Sequence, residues 1–142
     1  MQNKLALQPL AKIFKDGEKA TKLFLVKRGQ VLCLKLVNDR MIPIFRAQEG
    51  DIVGENAMMQ DSHYGYSAVA LTNVELLEIP AANFSEVLKT SPAWLVDLTS
   101  TMVNRFQNTA NLIAENRVIH PSVIEESEFT SSMETSIKKI LA

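Results

Sequence analysis

The sequence predicts a mainly β domain with helices on its C-terminal side: a small β-sandwich or barrel, a short helix, then a long one. Two features carry that prediction. All five glycines (Gly17, Gly29, Gly50, Gly54 and Gly65) precede residue 66, at spacings that suit turns between short strands. Between Pro92 and Pro121 there is neither glycine nor proline, which leaves room for one uninterrupted helix.

Taken in order, strands are predicted over residues 11–14, 22–27, 31–37, 41–46, 67–71 and 74–79. In VLCLKLV, Leu32, Leu34 and Leu36 recur at the period of a half-buried strand. Asn38-Asp39 supplies turn chemistry, and Pro43 places the next run at an edge or a bulge because proline cannot donate to a ladder. Pro80 closes the last strand, and 81–88 reads as a short helix. Ser91-Pro92 starts the long helix over 92–119, with a hydroxyl for the N-cap and proline at the first position. Leu95, Leu98, Met102, Phe106, Thr109 and Ile113 lie at intervals of 3, 4, 4, 3 and 4, one stripe along it. Such a helix is about 42 Å long. Trp94, Leu95 and Leu98 are expected to pack on the chain's own barrel. The distal face needs another partner.

At 142 residues and 46% hydrophobic, the chain can bury one core with an appendage. The lone Cys33, expected to be an inert small residue, excludes an internal disulfide. No run is apolar and long enough for a signal peptide or a membrane span, so a cytoplasmic protein with no membrane partner is expected. The net charge of −1 divides into +6 over residues 1–40 and −7 over the rest. Scattered lysines of this kind either protect strand edges or meet a polyanion. No Ser/His/Asp set, paired-carboxylate spacing or HExxH occurs, so neither an enzyme nor a metal site is expected.

Six segments in order carry a resemblance: Phe24-Leu25-Val26 with Gly29 and Val31; Gly50-Asp51; Val53-Gly54-Glu55; Ser67-Ala68; Leu76 to Ile79 with Phe84; and Arg105 to Thr109. Together they resemble the cyclic nucleotide-binding domain, with its sensor branch of catabolite-activator type, over about residues 10–119. The resemblance implies a small antiparallel, jelly-roll-like β-barrel followed by a short helix and the long C-terminal helix, one domain over 1–119. It also implies a ligand pocket of Gly54, Glu55, Asn56, Ala57, Met58, Tyr66, Ser67 and Thr109. In the family the glutamate matching Glu55 takes the ribose hydroxyl, and amides matching 56–59 face the phosphate. Ser67 matches a hydroxyl contact and Thr109 a base contact.

The family's phosphate-gripping arginine stands where this chain has Tyr66, and the loop 60–65 is about one residue longer. Losing one partner of a desolvated charge pair costs about 2–5 kcal/mol, roughly thirty-fold to several thousand-fold in affinity. The phosphate-binding cassette is therefore read as degenerate, with the Tyr66 ring in the vacated space. His63 and Arg46 are the two residues placed to restore a cation; each is otherwise a solvated charge. Glu55 is equally a ligand group or a carboxylate at the start of a short helix.

After Pro121, residues 122–132 are acidic and serine-rich and read as a flexible connector within 120–142. Ser131-x-x-Glu134 has the capping-box pattern ahead of Met133, Ile137, Ile140 and Leu141, so that stretch is either a short amphipathic helix or a frayed end. Too few residues follow Pro121 for a helix-turn-helix module, and no DNA partner is expected. The predicted function is a non-catalytic regulatory or scaffold protein acting through contacts with other proteins, with no cofactor. Its homodimer would form through Met102, Phe106, Thr109, Leu112 and Ile113 of the long helix. The alternative is a signalling sensor that takes a cyclic nucleotide, or another small anion, in a remodelled pocket.

Overall fold

The computed structural model describes residues 3–59, 61–116 and 119–142. The described residues form eight strands: β1 (Asn3–Leu7), β2 (Lys12–Phe14), β3 (Lys22–Arg28), β4 (Val31–Val37), β5 (Arg40–Ala47), β6 (Ile52–Val53), β7 (Ser67–Ala70) and β8 (Val74–Pro80). A 3-10 turn spans Glu55–Met58, and the described residues go on to form the helices α1 (Ala81–Lys89), α2 (Ala93–Asn116) and α3 (Ser131–Ile140). The strands form two four-stranded antiparallel sheets, in the orders β1-β8-β3-β6 and β2-β7-β4-β5. The expected barrel is thus an open sandwich of two sheets. Phe24, Val26 and Leu76 from one sheet meet Phe14, Cys33 and Ala68 from the other in a shared core.

Local chemistry explains much of this. Asn38 and Asp39 both adopt positive φ (48° and 65°), the two-residue hairpin turn that matches strand twist. Pro43 sits on the edge strand β5, beside a register shift in which Ile44 is the extra residue between the Leu34 and Phe45 pairings. Gly29, at φ 88°, lets the β3–β4 turn lie against the Asn73 carbonyl, which a Cβ would strike. Two strands were missed from the sequence. β1 is a half-polar edge strand held by β8, and β6 is two residues long against β3.

Ser91 does not cap α2. Its hydroxyl donates to the Val87 carbonyl at 2.8 Å at the end of α1, while the Pro92 carbonyl accepts the first bonds of α2 from Leu95 and Val96. The described part of the long helix ends at Asn116; residues 117 and 118 of the predicted 92–119 span lie outside the described residues. Val103, Ala110 and Ala114 are buried, with Phe106 and Ile113 packed beside them, so these residues face the sandwich. Trp94, Leu98, Met102 and Leu112 are 47–65% exposed. The helix is therefore turned from the predicted phase. Trp94 and Leu98 point to solvent, and Phe106 and Ile113, expected in a subunit interface, pack on the chain's own core.

The segment after Pro121 also departs from expectation. Val123, Ile124, Phe129, Ile137 and Leu141 are buried against Leu32, Leu34, Met41 and Val69 on the outer face of the second sheet. This second core, rather than a flexible connector, occupies 120–142. Thr130, one residue before the predicted cap, accepts the Met133 amide at 3.1 Å. Glu134 turns away from the helix start; its Oε2 accepts the Met41 amide (3.1 Å) and Arg40 Nε (2.9 Å) on β5. No helix among the described residues is long and apolar enough to cross a membrane.

Candidate functional site

The site forms where β6 runs into the 3-10 turn and where β7 begins. Gly54 turns the chain with φ 80°, left-handed backbone that favours glycine, and a Cβ there would crowd the Tyr64 and Phe14 rings. Glu55 then opens the turn, and Asn56 and Ala57 are buried within it. The Ala57 amide donates to the Gly54 carbonyl (3.0 Å), and Asn56 Oδ1 accepts the Gly65 amide (3.3 Å), tying the turn to the entry of β7.

Tyr66 is wholly buried, 0% exposed. Its ring lies among Phe14, Phe45 and Phe106 at centroid distances of 5.4, 5.5 and 5.8 Å, tilted or edge-on, the geometry aromatic quadrupoles favour. Its hydroxyl accepts the Gly54 amide (2.9 Å) and donates to Glu55 Oε2 (2.6 Å). Burial pushes the Tyr66 phenol well above its usual range, with the Glu55 charge and hydrogen bond adding to it, so the hydroxyl stays protonated as a donor. Burial likewise raises the Glu55 carboxyl, against the Tyr66 hydroxyl and its own backbone N–H, which favour the charge. Glu55 Oε1 is buried and has no partner in normal hydrogen-bond geometry among the described residues.

Beside this cluster a cavity of about 450 Å³ opens under α2. Phe45, Ile52, Met58, Val103 and Phe106 give it an apolar lining; Glu55 and Asp51 are its charged groups, and Thr99 and Met102 complete it. The predicted residues Gly54, Glu55, Asn56, Ala57, Met58 and Tyr66 do come together. Ser67 and Thr109 do not join them. Strand alternation carries Ser67 to the opposite face of β7, where its hydroxyl accepts the Asp16 amide at 2.9 Å. Thr109 is exposed on α2 and is not part of the cavity wall.

Neither cation considered for the site reaches it. His63 is exposed in its loop, bridged to Lys19. Arg46 pairs across from Leu32 and is turned to the outer face, with Nη1 4.0 Å from Glu128. Lys35 does approach the cassette loop, donating to the Gly65 carbonyl (2.6 Å), but Asp16 neutralises it at 3.1 Å. Sequence reasoning missed Phe45, Asp51, Ile52, Thr99 and Val103 in the cavity wall, and gave Met102 and Phe106 to a subunit interface instead. For Val103 the signal was present in the helical period, one residue out of phase from the stripe that was chosen.

Comparison with known proteins finds a family match and structural matches to the same fold. The cyclic nucleotide-binding domain family model matches residues 5–91. Among solved structures, the EAL enzyme Bd1971 in its cAMP-bound form aligns with a TM-score of 0.69 at 22% identity. That alignment covers 74% of this chain and 28% of the enzyme, so the chain corresponds to a minor part of that protein's length. The sensor domain of the transcriptional regulator DNR from Pseudomonas aeruginosa aligns with a TM-score of 0.63 at 17% identity, covering 78% of this chain and 75% of that one. A putative cyclic nucleotide-binding protein from Geobacter metallireducens aligns with a TM-score of 0.56 at 21% identity, covering 82% and 78%. These likenesses, all below 25% identity, show the fold. No curated protein matches the chain. With a family model spanning more than half of its residues, the chain belongs to the cyclic nucleotide-binding domain family.

Proposed function

We propose that the chain is a non-catalytic regulatory module that senses a small ligand in a remodelled pocket under α2, with 3′,5′-cyclic nucleotides as poor occupants. One observation carries this reading. The Tyr66 hydroxyl, the Gly54 amide and the Glu55 carboxylate satisfy one another at the cassette, while an apolar cavity remains beside them. Family membership and the fold shared with a protein solved in cAMP-bound and cGMP-bound forms support the sensing part. The Tyr66–Glu55 pair supports the altered ligand choice. A phosphate would meet a carboxylate here instead of a guanidinium.

Calorimetric titration is expected to show dissociation constants for cAMP and cGMP no tighter than about 100 μM, because the missing charge pair costs several kcal/mol. Low-micromolar binding of either would overturn the altered-ligand reading. Differential thermal shift over a panel of nucleotides and small organic ions tests the sensing role itself.

A second reading, that the module works through contacts with another copy, is favoured by the outer face of α2. Trp94, Leu98, Met102, Thr109 and Leu112 form one exposed line, and leaving its apolar groups in water forfeits about 25 cal/mol per Å². Two copies packed across a two-fold axis along this line would cover both. Light scattering after size exclusion is expected to give twice the 15.8 kDa chain mass at micromolar concentration. Met102→Glu with Leu112→Glu should yield folded monomers, since both side chains are exposed in one copy. A wild-type mass of one chain would exclude the homodimer.

A further inference from the structure

The cavity under α2 has an acidic and apolar lining. Its charged lining is two carboxylates, Glu55 and Asp51, with no Lys, Arg or His among the described residues that line it. Apart from Thr99, whose hydroxyl donates to the Leu95 carbonyl at 2.9 Å, the rest is apolar, backed by Phe45 and Phe106 in edge-to-face contact at 4.9 Å. Glu55 spends Oε2 on the Tyr66 hydroxyl and leaves Oε1 buried, with no donor in normal hydrogen-bond geometry among the described residues. A buried acceptor left unpaired is costly. A ligand that brings a donor to it recovers that loss, whereas an anion adds a like charge.

We propose that this cavity takes a small ligand with a flat apolar body and a cationic or hydrogen-bond-donating head, the donor seated on Glu55. That is the reverse of the charge an arginine-bearing cassette selects. The inference rests on the sensing role proposed above and names the chemical class of what is sensed. The body lies against Phe45, Phe106 and Val103, and Asp51 at the rim adds attraction for a cation. Met58 and Met102 in the same wall are unbranched and flexible, and because Oε1 is covered the head reaches it only with a shift of neighbouring side chains such as these.

Titration of the full chain with phenethylamine and with 3-phenylpropionate, followed by amide chemical shifts, tests this. Phenethylamine is expected to bind, shifting amides of 51–58 and 99–106, and to bind at least ten-fold tighter than 3-phenylpropionate. Glu55→Gln, which keeps an acceptor for Tyr66, should weaken phenethylamine at least ten-fold. Asp51→Asn, which keeps an acceptor for the Gln48 amide, should weaken it about three-fold and decides the matter should the Glu55 variant not fold. Equal or tighter binding of 3-phenylpropionate, or binding indifferent to both substitutions, overturns the ligand class and leaves the sensing role standing. If a cyclic nucleotide binds and phenethylamine does not, the class is again overturned. If none of them binds, the class is overturned, and the thermal-shift panel described above decides the sensing role separately.

Discussion

Tyr66→Ala is expected to lower the unfolding free energy by about 3–5 kcal/mol, the range for removing a buried aromatic ring from a core. The ring is fully buried and touches three other aromatic residues, so its loss leaves a cavity that the two sheets, hydrogen-bonded on either side, cannot collapse to fill. Tyr66→Phe separates packing from polarity. It keeps the ring but orphans the Gly54 amide and Glu55 Oε2, at a cost of about 1–3 kcal/mol. Chemical denaturation of the three proteins checks both values. An unchanged midpoint for the alanine variant would mean that the ring is not part of the core in solution.

Ile137→Ala and Ile124→Ala are each expected to cost about 2–5 kcal/mol, although both lie in the stretch that reads as connector or chain end. Both side chains are fully buried over Leu32 and Leu34. Limited proteolysis should then cut within 122–132 faster in the variants than in the wild type. If neither stability nor cleavage changed, the C-terminal segment would not be docked. Glu134 adds a pH signature to the same contact. Burial pushes its carboxyl up, but the Arg40 hydrogen bond, the Met41 amide and the charges of Arg40 and Lys138 outweigh that and hold it below the usual carboxylate range. A lowered carboxyl stabilises the fold above its unfolded titration range, and that contribution is lost as pH falls through the lowered one. Glu55, raised by burial, works in the opposite sense, losing its contribution as pH rises through its titration. Glu134→Gln should therefore flatten the acid side of the stability profile.

By itself the sequence determined the features that depend on a few neighbouring residues. Turn glycines, the Asn38-Asp39 hairpin, the Pro43 irregularity and the helix-permissive run after Pro92 all act within a few bonds, so their outcome is legible locally. So is the order of elements that marks the family, and with it the Gly54-Glu55 turn and the missing arginine. Tertiary structure alone decided which faces are used. β4 is buried on both sides because a segment nearly a hundred residues later covers Leu32 and Leu34, a contact that no period within β4 encodes. α2 turns Ala110 and Ala114 inward because small side chains let the helix approach the sheet closely, while Trp94, Leu98, Met102 and Leu112, which weigh heavily in a hydrophobicity count, stay outside. Whether Tyr66 is a surface ring or the centre of an aromatic cluster depended on Phe45 and Phe106 arriving from two other elements. Packing is a sum over partners distant in the chain, and a single strand or helix does not carry the identity of what will lie against it.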